Sequence, residues 1–159
     1  MDEQHIFDHL FEMCTKSKDP DGAVAACLVQ NGHILISSPC ADDGVRHAED
    51  LLLTKAKEQN IQIDTDTILY TTLEPCSKRS PRKNIRDCTT LILAAGIRHV
   101  VFAAPDPEFS MDARKRFVQA GISYSMVNDK EITQKAIEVF NRTITSPLTY
   151  MGTLRAKTI

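Results

Sequence analysis

The first apolar residues of the chain recur at three- and four-residue spacing, a pattern typical of an amphipathic helix. This spacing predicts a helix over residues 3–17 whose buried face carries Ile6, Phe7, Leu10, Phe11 and Cys14. The stretch Asp19-Pro20-Asp21-Gly22 should end the helix, because proline and glycine are poor helix formers and aspartate favours turns. Cys14 is therefore expected in the core.

Two short apolar runs follow, Ala23–Val29 and His33–Ser37, with Asn31-Gly32 between them. An Asn-Gly pair between two apolar runs is a strong signal for a tight hairpin. The first two strands of the protein are therefore expected to be antiparallel.

Beyond a polar loop over residues 38–46, helical and strand patterns alternate. Helices are expected from His47 to about Asn60, from Cys88 to about Ala95, over Asp112–Ala120 and over Lys130–Thr143, and strands over 67–73, His99–Ala104 and Ile122–Val127. Strands that alternate with helices are normally parallel to one another. The pattern predicts an α/β protein with a five-stranded mixed sheet, strands 1–2 antiparallel and strands 3–5 parallel.

Length and composition fit one compact unit. The 159 residues are 42% hydrophobic and 25% charged, which is ordinary for a globular domain, and we assign residues 1–144 to that domain and 145–159 to a C-terminal tail. We expect a cytoplasmic protein, since no run approaches a membrane span and the N-terminus lacks the features of a secretory signal. The net charge of −2 gives no global attraction to nucleic acid.

Candidate chemistry is concentrated in His47-Ala48-Glu49, Glu74-Pro75-Cys76 and Cys88. A catalytic zinc ion is usually held by three His or Cys ligands that leave a fourth position for water. His47, Cys76 and Cys88 would be those ligands. Glu49 would be a carboxylate that binds no metal and instead moves protons.

The order H-x-E, P-C and a later cysteine is the signature of zinc-dependent nucleobase deaminases. Here eleven residues separate Cys76 from Cys88, where the usual spacing is two. The sequence around the two cysteines is nevertheless specific: Tyr70–Ser77 reads YTTLEPCS, and Leu91–Val101 reads LILAAGIRHVV. Over about residues 20 to 127 the chain resembles the cytidine/deoxycytidylate deaminase superfamily, and most closely the deaminase domain of the bifunctional riboflavin-biosynthesis deaminase/reductase.

The resemblance implies a three-layer α/β/α cytidine-deaminase-like fold, a Zn²⁺ cofactor and hydrolytic deamination of a phosphorylated aminopyrimidine. Glu49 would pass the proton of the activated water to the ring nitrogen and then to the departing amine, and ammonia would be released. Glu74 is a second carboxylate near the site, with a structural role expected at the strand end. In the resembling enzymes a reductase domain follows where this chain ends, so the chain is either free-standing or a piece of a longer protein.

The insert between the two cysteines is basic, with Lys78, Arg79, Arg82, Lys83 and Arg86. Such a run is usually a solvated loop, but at the mouth of a pocket it would attract a phosphate. By resemblance to enzymes that act on phosphorylated substrates, we assign phosphate contact to Lys78 and Arg82. The insert does not reproduce the family's sequence, and Asp19-Pro20-Asp21-Gly22 replaces the family's asparagine-proline pairs, so the substrate is less firmly indicated than the chemistry.

Other interpretations remain open. A cytidine-type nucleoside or nucleotide deaminase and a tRNA-base deaminase share the scaffold, and a non-catalytic zinc-stabilised binding module would need a fourth protein ligand. Cys14 and Cys27 are expected in the core, Cys40 as a possible pocket residue, and the four other histidines as surface or strand residues, namely His5, His9, His33 and His99. A homo-oligomer is expected because related deaminases pair to cover their sheet edges and helix faces.

Overall fold

The computed structural model describes residues 1–42, 45–78, 86–107 and 111–144. Its helices are α1 (Glu3–Thr15), α2 (Ala48–Glu58), α3 (Cys88–Ala94), α4 (Arg114–Gln119) and α5 (Lys130–Asn141). Its strands are β1 (Ala25–Gln30), β2 (His33–Pro39), β3 (Ile68–Leu73), β4 (His99–Ala104) and β5 (Ser123–Met126). Every element expected from the sequence is present, with ends that differ by at most about two residues because terminal turns fray.

The five strands form one mixed sheet in the order β2-β1-β3-β4-β5. β1 pairs antiparallel with both β2 and β3, whereas β4 is parallel to β3 and to β5. Asn31 and Gly32 both have positive φ, as the tight hairpin between β1 and β2 requires. The predicted fold class is confirmed.

Helices cover both faces of the sheet, which gives three layers. One core cluster joins α1 and α5 to one face, and a second joins α2, α3 and α4 to the other. Strand β1 shows the division, because Cys27 and Val29 belong to the first cluster and Ala26 and Leu28 to the second. Cys14 and Cys27 are fully buried, as expected.

The centre of the sheet positions the site. The central strand β3 ends at Leu73, next to β4, where Glu74 N donates to the carbonyl of Ala104. α2 and α3 pack on this side of the sheet and both begin near that end. Carboxyl ends of parallel strands are the usual place for sites in open α/β sheets. In the described part of the chain, no helix has the length and apolar character that crossing a membrane requires.

The segment between α1 and β1 is held by α5. Arg142, which follows α5, donates to the carbonyl oxygens of Cys14 at 2.6 Å and Ser17 at 3.2 Å. Phe140 places its ring against Gly22, whose φ is +115° and where an added Cβ would lie 2.3 Å from a ring carbon. Glycine is therefore required here both by its backbone conformation and by the approach of the ring.

Replacing Gly22 with alanine should destabilise the protein by about 3 kcal/mol or more, because backbone strain and overpacking each cost about 1–3 kcal/mol. Gly96→Ala is the matched control, since Gly96 also has positive φ but open space around it, and it should cost only about 1–2 kcal/mol. Denaturant midpoints of the two variants test this. Equal losses would show that the contact with Phe140 has no energetic weight.

Candidate metal and catalytic site

Three sequence-distant side chains meet at the end of β3. His47 is the N-cap residue of α2, Cys76 lies three residues beyond β3, and Cys88 is the first residue of α3. The Nδ1 atom of His47 is 3.5 Å from Cys76 Sγ and 3.4 Å from Cys88 Sγ. All three candidate ligand atoms lie within 4.8 Å of one another. The structure therefore brings together the three residues that the sequence selected as metal ligands.

The donor set fits zinc. A tetrahedral centre with Zn–S of about 2.3 Å and Zn–N of about 2.0–2.1 Å separates a thiolate from an imidazole nitrogen by about 3.6 Å. The two observed separations are 3.5 and 3.4 Å. Among the described residues the group contains no fourth His, Cys, Asp or Glu. Three protein ligands are the arrangement of catalytic zinc, whereas structural zinc normally has four.

Cys76 is prepared to act as a thiolate. Its hydrogen bond with Cys88, together with the nearby imidazole of His47, lowers the pKa of the Cys76 thiol well below its usual value. The backbone N–H of Cys88 also donates to Cys76 Sγ at 3.2 Å. Because metals bind the thiolate form, these contacts favour metal binding at neutral pH.

Glu49 lies beside the three candidate ligands and is 3% exposed. Its Oε1 accepts from Thr71 Oγ1 at 3.2 Å, and its Oε2 accepts from Cys88 Sγ at 3.5 Å. Burial raises the pKa of the Glu49 carboxyl above its usual value. A raised pKa brings a carboxylate closer to the working range of a general acid and base.

Glu74 has a structural role, in agreement with the sequence analysis. Its carboxylate accepts from the backbone N–H of Asp106 at 2.8 Å and of Met111 at 3.0 Å, and from the hydroxyl of Tyr124. These donors lie after β4 and on β5, so Glu74 fixes the loops at the carboxyl end of the sheet. Satisfied by three donors, this buried carboxylate is not available as a second proton shuttle.

Arg116 ties together the two ends of the basic insert. Its guanidinium donates to Asp87 Oδ1 at 3.0 Å, to Thr90 Oγ1 at 2.6 Å and to the carbonyl of Ser77 at 3.4 Å. Ser77 follows Cys76 and Asp87 precedes Cys88, so one side chain restrains the backbone beside both cysteines. Asp87 also caps α3 by accepting from Thr90 N at 2.8 Å.

A cavity of about 200 Å³ opens onto this group. Apart from His47, Glu49, Glu74 and Cys76, its lining consists of the loop after α1, Cys40, residues near the ends of β3 and β4, and the end of α5: Asp19, Asp21, Gly22, Val24, Cys40, Leu73, Lys78, Asp106, Pro107 and Phe140. Cys40 therefore lines the cavity, as the sequence analysis allowed, and burial raises its thiol pKa to about 11.

The two residues assigned to phosphate differ in what the structure shows. Lys78 lines the cavity and its ammonium lies 3.8 Å from Asp112 Oδ2, with 63% of the side chain exposed. Arg82 lies outside the described residues.

Asp19, Phe140 and Arg116 were missed as site residues by sequence reasoning. For Asp19 a signal existed, since the Asp-Pro-Asp-Gly segment departs from the resembling family, but Phe140 and Arg116 have none.

The cytidine and deoxycytidylate deaminase zinc-binding region matches residues 1–104. The chain belongs to this deaminase family. The Zn²⁺ cofactor predicted from the sequence is confirmed by the match to the family's zinc-binding region and by the His-Cys-Cys group that could hold the ion.

Two curated relatives differ in what their names say. Riboflavin biosynthesis protein RibD of Aquifex aeolicus is 31% identical over 144 residues, 88% of this chain and 38% of its own length. Deoxycytidylate deaminase of Homo sapiens is 28% identical over 138 residues, 72% of each protein. The deaminase thus spans well under half of the RibD protein that it matches, and both relatives leave the substrate open.

A solved structure supports the fold. The diaminohydroxyphosphoribosylaminopyrimidine deaminase/5-amino-6-(5-phosphoribosylamino)uracil reductase of Thermotoga maritima matches 95% of this chain and 43% of its own, with a TM-score of 0.76 and 22% identity. Because the match extends over 95% of the chain, it supports the arrangement of sheet and helices described above.

Replacing Arg116 with lysine should loosen zinc, because a single ammonium cannot bridge the three acceptors that the planar guanidinium reaches. Changes to groups that orient metal ligands typically weaken metal binding by about 10- to 100-fold, and we expect about tenfold faster zinc loss to a chelator. Lys115→Ala is the control, an exposed cation on the same helix. Unchanged zinc loss in Arg116→Lys, with the fold intact by circular dichroism, would contradict the role of Arg116.

Proposed function

We propose that this deaminase catalyses hydrolytic deamination of a phosphorylated aminopyrimidine of the riboflavin-pathway type, releasing ammonia. The observation that carries the proposal is the buried Glu49 carboxylate beside a three-ligand His-Cys-Cys group that opens onto a cavity. A zinc-stabilised binding module would require neither an open ligand position nor a buried carboxylate at the metal. The similarity to RibD supports the choice of substrate class.

In this proposal His47, Cys76 and Cys88 hold the zinc ion, which when bound supplies a Lewis acid that activates water at neutral pH. Glu49 removes one proton from the attacking water and delivers it to the ring nitrogen; it then moves the proton of the newly added hydroxyl to the amine, which departs as ammonia and leaves a carbonyl. Thr71 Oγ1 lies 3.2 Å from one oxygen of Glu49 and 2.9 Å from the carbonyl of Leu73, so these two acceptors share its one hydroxyl proton. Burial keeps the Glu49 pKa raised, which makes protonation of this carboxylate during the reaction less costly.

In this proposal Lys78, which lines the cavity, and Arg82 bind the phosphate. Residues 1–144 form the zinc-dependent domain, with residues 145–159 as a tail that lies outside the described residues. A homo-oligomer remains a prediction, which the sedimentation mass would decide.

A second candidate substrate is deoxycytidylate, because the human deoxycytidylate deaminase is similar over most of its length.

Glu49→Gln should abolish deamination while zinc remains bound, because glutamine keeps the size of the side chain and leaves the three ligands in place. General acid–base groups contribute about 10² to 10⁴ in rate, and Glu49 acts more than once per turnover, so we expect a loss at or above the upper end of that range. Ammonia release and bound zinc per chain are the measurements. His47→Ala should lose both, and Cys14→Ala neither. Near-normal turnover in Glu49→Gln would refute the mechanism.

Replacing Lys78 and Arg82 together by alanine should mainly raise KM for a phosphorylated substrate. The zinc content and kcat should stay close to those of the original protein, because neither side chain is needed for the chemical step. Inhibition by salt should weaken as well, since screening acts on these contacts. Kinetics on a nucleotide and its dephosphorylated form measure the effect. An equal KM for the two forms would instead favour an unphosphorylated nucleoside or base as the substrate.

A further inference from the structure

One wall of the cavity carries a buried carboxylate that the proposed reaction does not use. Asp19, in the loop between α1 and β1, is 3% exposed and lines the same cavity as His47 and Glu49. Burial raises the pKa of the Asp19 carboxyl. Desolvating a carboxylate is costly, so its retention beside a ligand cavity calls for an explanation.

The loop holds Asp19 in one orientation. Its Oδ1 accepts from the backbone N–H of Asp21 at 2.8 Å, while its own N–H donates to Ser17 Oγ at 3.2 Å. The carbonyl of Asp19 accepts from Gly22 N at 3.2 Å. Arg142 also donates to the carbonyl of Ser17, at the start of the loop. The carboxylate is therefore positioned before any ligand enters, as a recognition group should be.

Asp19 retains capacity to accept further hydrogen bonds. A carboxylate offers about four acceptor positions. Asp21 N–H and the Cys40 thiol occupy part of them. Among the described residues no lysine or arginine forms an ion pair with Asp19. Asp19 lines the cavity, and N–H groups of a ligand there would be the matching donors for its remaining acceptor positions.

The charges around the cavity also favour a hydrogen-bond donor at Asp19. Its described acidic residues include Asp19, Asp21 and Asp106 in addition to Glu49 and Glu74, whereas Lys78 is its one described Lys or Arg. An anionic part of a ligand is therefore disfavoured on the Asp19 side and is better placed toward Lys78. The Asp19 side suits a neutral ring edge that donates hydrogen bonds.

Two classes of pyrimidine differ in this respect. A cytosine ring, once its reacting amino group is at the metal, presents a ring nitrogen and a carbonyl oxygen, both acceptors, on one side and C–H groups on the other. An aminopyrimidinone that carries further amino substituents presents several N–H donors. A fixed carboxylate pairs with donors and leaves an acceptor unpaired and repelled.

We propose that Asp19 is a specificity-determining residue that accepts hydrogen bonds from the N–H groups of a polyaminopyrimidinone ring and disfavours a cytosine ring. This inference rests on the proposed function and deepens it, since it selects between the two substrate classes that the relatives leave open. It also assigns different lining residues to ring and phosphate, with Asp19 at the ring and Lys78 at the phosphate.

Asp19→Asn tests the assignment with little change in shape. Asparagine keeps an Oδ1 acceptor for Asp21 N–H, removes the charge and adds an N–H₂ donor that suits a carbonyl. A hydrogen bond to a charged group is worth about 1.5–3 kcal/mol, so kcat/KM for 2,5-diamino-6-ribosylaminopyrimidin-4-one 5′-phosphate should fall about 10- to 100-fold. The value for deoxycytidylate should stay within about threefold or rise. Asp66→Asn, an exposed aspartate outside the cavity, should change neither.

A binding measurement keeps the inference independent of turnover. In the zinc-loaded Glu49→Gln protein, calorimetry with 2,5,6-triaminopyrimidin-4-one and with cytosine should show the triamino ring binding more tightly. Adding Asp19→Asn should remove most of that difference, with zinc content and melting temperature unchanged. An unaltered ratio between the two rings, a preference for cytosine before the substitution, or binding of neither ring would overturn the inference. Absence of ammonia from both substrates with the binding ratio as expected would refute the proposed function alone.

Discussion

The structure depends on bringing an imidazole and two thiols, 29 and 41 residues apart in sequence, to within hydrogen-bonding distance of one another. Three element ends meet to do this: the N-terminus of α2, the carboxyl end of β3 and the N-terminus of α3. Both ligand-bearing helices pack on the same face of the sheet, so their N-termini are fixed relative to the central strand. Such a site keeps its geometry only while the sheet and these two helices remain packed together.

Supporting contacts around the site follow from the same constraint. The insert leaves the cysteines far apart along the chain, and Arg116 compensates by bridging the backbone at Ser77 and the side chain of Asp87. Glu74 similarly fixes the loops after β4. These are buried or half-buried charged groups with several partners each, and removing one partner would leave the others unsatisfied. The positions of the candidate ligands thus depend on residues such as Arg116 and Glu74, which are not themselves candidate ligands.

The cavity lining carries both signs of charge. Five carboxylate residues line it, and Lys78 is the one lysine or arginine among its described lining residues. A ligand that has a hydrogen-bond-donating ring and an anionic tail would match the carboxylates and Lys78 at once. A net charge of −2 therefore says little about the substrate, because the local field around the cavity differs from the average over the protein.

The sequence by itself determined the elements and the candidate chemistry. Apolar periodicity located the helices and strands of the described part of the chain, and Asn31-Gly32 fixed the hairpin, because these signals are local and depend only on neighbouring residues. The spacing of His47 and Glu49 and the motif around Cys76 selected the chemistry for the same reason. Cys88, which the insert separates from Cys76, was identified through the sequence around it and not through the spacing of the two cysteines.

Only the tertiary structure decided which further residues meet at the site. Asp19, Phe140 and Arg116 lie far from the motif in sequence, and only Asp19 has a local signal, the Asp-Pro-Asp-Gly segment that departs from the resembling family. Their positions follow from long-range packing, in which α5 holds the loop after α1 and α4 faces the start of α3. Local propensity cannot encode such contacts, because they exist only once both layers of helices have closed on the sheet.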